Sequence, residues 1–188
     1  LKVNYQRFDA EDVGIPGGAP FPSGAKATYP SELREMYSAE YKVQNLLPSL
    51  MTLTGKYFHQ LIERRVELIP NPNATVNTAA DHTADGFQIQ SDWYLSETNR
   101  LIVGIDGWQR EYDGTRTRYV KPKDQYIIDS PVPNSTYKSL GIFAQDELSV
   151  LEDKLNITLG GRYDFINVTN EETSNPNYII VNGVRNDN

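Results

Sequence analysis

The sequence predicts an all-β fold: an antiparallel transmembrane β-barrel segment of about seven strands in up-and-down hairpins, part of a larger barrel. Three observations predict it. Apolar and polar residues alternate with a period of two along several segments, and tight turns alternate with long polar connections. No apolar run approaches the roughly 18 residues that a membrane-crossing helix needs. Only alternate residues of a barrel strand face lipid, so its mean hydropathy stays low while it still crosses the bilayer.

Leu1 to Phe8 reads as the tail of a first strand. Next, Tyr37, Ala39, Tyr41 and Val43 oppose Met36, Ser38, Glu40 and Lys42. A turn across Asn45 to Leu50 leads to Met51, Leu53, Gly55 and Tyr57, set against Thr52, Thr54 and Lys56. Gly86 to Leu95 places Phe87, Ile89, Ser91, Trp93 and Leu95 on one face and Gln88, Gln90, Asp92 and Tyr94 on the other. Ser96 to Asn99 is a hairpin turn, followed by Leu101, Val103, Ile105 and Gly107 against Ile102, Gly104, Asp106 and Trp108. Ser139 to Val150 aligns Leu140, Ile142, Ala144, Leu148 and Val150, with Asp146 as the exception. After the turn Leu151 to Lys154 comes the clearest strand: Leu155, Ile157, Leu159, Gly161, Tyr163 and Phe165 alternate with Asn156, Thr158, Gly160, Arg162 and Asp164.

Between these pairs run polar segments near 10–32, 70–84 and 113–137, expected as long external loops opposite tight periplasmic turns. Two segments also fit helices. Ser31 could cap a helix carrying Leu33, Met36, Tyr37 and Tyr41, and Phe58, Leu61, Ile62 and Val66 share a helical face. Consistency with the other hairpins favours strands at 33–44 and 58–68, and the helical alternative stays open.

Tyr leads the aromatics, with 12 against 6 Phe and 2 Trp, which suits strands at a wet apolar boundary. Tyr5, Phe8, Tyr37, Trp93, Trp108, Tyr112, Tyr163 and Phe165 near strand ends fit an interfacial girdle. A net charge of -7 argues against nucleic acid as a partner. The absence of Cys rules out disulfides and thiolate metal sites, and two separated His make a multi-histidine zinc site unfavourable. Leu1 opens inside a strand pattern, and Val184 to Asn188 reads as a polar loop, so the segment is expected to be incomplete at both ends.

Gly141-Ile142-Phe143-Ala144-Gln145-Asp146-Glu147-Leu148, followed by Leu155-Asn156-Ile157-Thr158-Leu159-Gly160-Gly161-Arg162-Tyr163-Asp164, resembles barrel hairpins of TonB-dependent outer-membrane receptors. Leu101 to Asp106 and the turn Asn45 to Leu50 are similar to further pieces of such barrels. The resemblance implies that residues 1–188 are part of one receptor β-barrel domain, with the plug domain and the TonB-contacting segment outside the sequence. It further implies the outer membrane of a Gram-negative bacterium, contact with outer-membrane lipid, and energised uptake of an iron-siderophore, haem or similar scarce ligand. The TonB complex would act through parts beyond this segment. No enzyme activity and no cofactor are implied.

Ligand contacts are expected in the external loops. Arg116, Arg118, Tyr119, Lys121 and Lys123 form a cationic and aromatic cluster suited to an anionic chelate. The plainer reading is a solvated loop balanced by Asp113, Asp124 and Asp129. His82, in the 70–84 segment, could reach haem iron, although a loop imidazole is more often simply solvated. Arg162 and Asp164 read as pairing partners in the lumen. Asp146 and Glu147, as strand neighbours, face opposite sides and cannot form a catalytic carboxylate pair. A soluble β-rich or α+β binding module, of the carbohydrate-binding kind, is the alternative reading.

Overall fold

The computed structural model describes residues 1–15, 24–151, 154–171, 178–181 and 184–187. Its strands are β1 (Lys2–Gly14), β2 (Lys26–Gln44), β3 (Leu50–Asn71), β4 (Ala74–Ser96), β5 (Asn99–Val120), β6 (Gln125–Asp129), β7 (Ser135–Val150), β8 (Leu155–Asn170), β9 (Tyr178–Val181) and β10 (Val184–Asp187). Seven long strands pair in the order β1-β2-β3-β4-β5-β7-β8; β6 adds to β5, and β9 with β10 forms a separate two-stranded ribbon. All pairings are antiparallel. The segments 33–44 and 58–68 are strands, so the helical alternative falls. Their apparent helical faces merge two rows of side chains that point to opposite sides of the wall.

The sheet is staggered. Val150 pairs Leu155 at the foot of β7–β8, but the foot of β4–β5 lies higher on that ladder, where Asn99 pairs Leu148. The foot of β2–β3 lies higher still: Thr52 pairs Gln44 and Asp92, and through Ile102 reaches Gln145. Such a steady climb of hairpin ends is the shear that tilted strands need to close a barrel. β1 and β8 are the two ends of the long-strand order, so this is an open arc of wall.

Register sets the chemistry of each side. Val3, Ala39, Tyr57, Phe87, Gly107, Leu140 and Phe165 stand in one row across all seven long strands. Below them the same side shows Ile142, Leu159 and Tyr163, 49%, 69% and 60% exposed. The next row up reads Tyr5, Tyr37, His59, Asp85, Gln109, Lys138 and Asn167, where the outer side turns polar. An apolar band this exposed, on a single sheet that no second layer of the described residues covers, is a surface for lipid.

The opposite side is polar. Arg162 on β8 reaches across β7 to Asp106 on β5 at 2.6 and 2.8 Å and also bonds Asp164. Gly141 makes room for this bridge: a Cβ there would fall 2.2 Å from an Arg162 Nη. The expected pairing of Arg162 and Asp164 is present, with Asp106 as its third member.

The expected loops are mostly strand. The 70–84 segment is a two-residue turn between Asn71 and Ala74 followed by the rising half of β4. In 113–137, β5 runs to Val120, a 3₁₀ turn covers Lys121–Lys123, and β6 folds back on β5. In 10–32, β1 reaches Gly14 and β2 begins at Lys26; residues 16–23 lie outside the described residues, as do 152–153 of the β7–β8 turn. The polar stretch expected as loop from Val184 forms β10 up to Asp187. Above the apolar band the outer side meets water, so these strand extensions need no apolar face and look like loop in composition. Three expected girdle aromatics, Phe8, Trp108 and Tyr112, stand instead in the inner rows, paired with Arg34, Ser139 and His82.

Candidate functional site

Above the apolar band the inner wall carries two successive rows. One runs Phe8, Arg34, Ile62, His82, Tyr112; the next lower one runs Met36, Gln60, Ala84, Arg110, Tyr137. Strand alternation brings these residues to one face although they come from five different strands. Between them lies a hollow of about 310 Å³ lined by Gln60, Ile62, Arg64, Ala80, His82, Thr83, Ala84 and Arg110. Ala80 and Ala84 keep its floor low; Arg64, His82 and Arg110 form its sides. A larger hollow of about 550 Å³ lies further down the wall, with Met36, Phe58, Lys56, Asp106 and Trp108 among its lining.

Arg64 is held in place. It donates to Glu32 at 2.5 Å, and its guanidinium lies 5.5 Å from the Tyr29 ring centroid. Arg34 and Arg110 are exposed and make no ion pair among the described residues. Trp108 and Tyr137 stack at 4.8 Å with planes 11° apart, and His82 and Tyr112 lie 4.8 Å apart and tilted. Burial, then the charges of Arg110 and Arg64, hold the His82 imidazole below its ordinary pKa, so it is neutral at pH 7. The hollow therefore offers guanidinium donors and a neutral imidazole, and the Trp108–Tyr137 stack adjoins it beside Arg110, outside its lining.

The expected ligand residues are not brought together. His82 is on the inner face of β4 and lines the hollow. Arg116 and Arg118 are on the inner face of β5, but Asp129 of β6 takes both: Arg116 forks onto it at 2.6 and 2.7 Å, and Arg118 reaches it at 3.3 Å. Asp129 is held below the usual carboxylate range by that Arg116 fork. Tyr119 points to the other side, donates to Asp124 at 2.9 Å and contacts the Tyr126 ring. All four stand on strands rather than in loops. Arg34, Arg64, Arg110 and Tyr137 carry no site expectation in the sequence, and Trp108 stands there only as a girdle aromatic. Register brings them to the same inner face of β2, β3, β5 and β7, and that shared face is the signal that finds them once the strands are known to extend beyond the apolar band.

A protein-family model described as "TonB dependent receptor-like, beta-barrel" matches residues 2–188. Comparison with curated proteins gives no match. A solved structure titled "Copper transporter OprC" superposes with a TM-score of 0.64 at 15% sequence identity, covering 77% of this chain and 24% of that one. At that identity the likeness shows the shared fold.

Proposed function

The chain belongs to the TonB-dependent receptor β-barrel family, outer-membrane transporters and not enzymes, and on that premise we propose that it forms part of the wall of a TonB-energised receptor for an iron chelate, either a siderophore complex or haem. The soluble-module alternative is overturned by that family match together with the exposed apolar band. The observation that supports receptor function is the extension of the strands. β3 and β5 are 22 residues long and β4 is 23, whereas crossing the hydrocarbon takes about 9–11 residues. The surplus builds a vestibule on the side away from the β2–β3, β4–β5 and β7–β8 turns, and the hollow with Arg64, His82 and Arg110 opens there. A vestibule with a built concavity suits capture of a bulky scarce ligand more than passive flow of small solutes.

Copper, named for the structural neighbour, is not carried over. Soft thiolate and thioether ligands select Cu(I), and this chain has no Cys and two Met. Among the described residues no three His, Cys, Asp or Glu form a metal-holding group. The test is growth under iron limitation on single ferric chelates or haem. Deleting the gene is expected to abolish growth on one of them, with rescue by the intact gene only in cells that have TonB. Unchanged growth across a panel of chelates and haem contradicts the proposal.

A further inference from the structure

We infer that the hollow between β3, β4 and β5 selects an anionic ligand with a flat body, gripped by Arg110 in its lining and by Arg34 next to Ile62 at its edge, and laid against the Trp108–Tyr137 stack that adjoins Arg110. This rests on the transport reading above and names the chemistry of the ligand.

The two sides of the wall above the apolar band carry opposite charge. Inward stand Arg34, Arg64, Arg110, Arg116 and Arg118, against Glu32 and Asp129. Outward stand Glu35, Glu63, Glu67, Asp81, Asp85, Glu111 and Asp113, against Arg7, which holds Glu35, Arg65, which is tied to Asp81, and Lys138. Surface charges beyond about 8–10 Å are screened at physiological salt, so the sign nearest the ligand decides. Inside a walled vestibule that sign is positive, and low-dielectric walls focus the field on what enters. The acidic outer side disfavours the same ligand along the barrel exterior.

The inner guanidiniums divide into two groups. Arg64, Arg116 and Arg118 already hold carboxylates of the chain. Among the described residues Arg34 and Arg110 hold none; Arg110 lines the hollow from β5, and Arg34 on β2 pairs with its lining residue Ile62. Free guanidiniums present planar forks that match carboxylate, sulfonate or phosphate oxygens. Arg110 and Tyr137 are a directly paired rung, and Tyr137 lies flat on Trp108, so a charged group on Arg110 sets the rest of a planar molecule against these rings. A cationic ligand would meet two guanidiniums that no carboxylate among the described residues neutralises.

The test uses the full-length receptor in detergent and two flat fluorescent probes of opposite charge, a pyrene trisulfonate and an acridinium, followed by anisotropy. The trisulfonate is expected to bind at least tenfold tighter than the acridinium. Arg34→Glu with Arg110→Glu is expected to weaken it at least tenfold, while Lys138→Glu on the outer side leaves it unchanged. Arg110→Gln, a milder change, is expected to give an intermediate loss, and heat-modifiable gel mobility verifies that each variant is a folded barrel. Equal affinity for both probes, or a double variant that binds as tightly as the parent, overturns the inference. TonB-dependent chelate uptake is measured separately in cells. Uptake without probe selectivity sinks the ligand class alone; probe selectivity without uptake supports an anion site and sinks the transport reading.

Discussion

His82 stands between Arg64 on β3 and Arg110 on β5, with Tyr112 against its ring and Asp81 beside it on β4. Its pKa is lowered by burial first and by the two arginines next, so the folded chain favours the neutral ring. The sign follows from linkage: stability contributed by a neutral His is full above about pH 6.5 and is lost as pH falls toward the lowered folded value. A bound anion reverses the electrostatics and favours the protonated ring. Affinity for the sulfonated probe is therefore expected to rise several-fold as pH drops below about 6.5. His82→Gln should flatten that profile without abolishing binding. A pH-independent affinity in the native receptor would place the anion away from His82. Asp129, held ionised by Arg116, stays charged across that window and adds no pH dependence of its own there.

At the scale of elements, β6 carries a single carboxylate, Asp129. It pairs with β5 along five rungs, from Arg116↔Asp129 to Val120↔Gln125, and Asp129 is the group that the two arginines share. Asp129→Asn is expected to speed amide exchange in 125–129 by an order of magnitude or more, leaving the ladders of β7 and β8 unchanged. Equal protection in the variant would show that backbone pairing alone holds the strand. Gly104 makes a second prediction, because a Cβ there would lie 2.3 Å from the Phe143 ring and 2.9 Å from the Ile89 carbonyl oxygen. Backbone cannot step aside as a flexible side chain can, so Gly104→Val should destabilise the wall by about 1–3 kcal/mol in denaturant unfolding. These elements also mark how far the sequence is legible. The hairpins β4–β5 and β7–β8 are plain in it because lipid demands an apolar residue at every second position. The upper half of β4, with Thr75, Asn77 and Thr83 outward, has water on that side and so no period to detect. β6 looks like loop for the same reason, and the partners of Arg116 and Arg118 become visible only when β6 folds back. Arg34 and Arg110 are ordinary charged residues until register places them on one face of the vestibule.

At the scale of the whole molecule, the wall is one sheet whose two sides meet different solvents. Charge on the lipid side is costly at mid-depth, so Ile142→Arg should destabilise the receptor in bilayers by about 2–4 kcal/mol. Gln145→Arg, on the inner side beside Glu147, should stay within about 0.5 kcal/mol. The stagger of the hairpin feet fixes a strand tilt, so every long strand crosses the same lipid slab at a different register. On β8, odd-numbered residues from Leu155 to Phe165 face lipid and even-numbered ones face the lumen. Single cysteines placed at each of these positions in the full-length receptor, spin-labelled in liposomes, test it most directly through collision with dissolved oxygen and with a water-soluble nickel complex. Oxygen accessibility is expected to peak at 155, 157, 159, 161, 163 and 165 and fall at the positions between, the nickel complex being excluded from the peaks. A flat profile along β8, or one with nickel reaching Leu159 as readily as Thr158, would contradict the account.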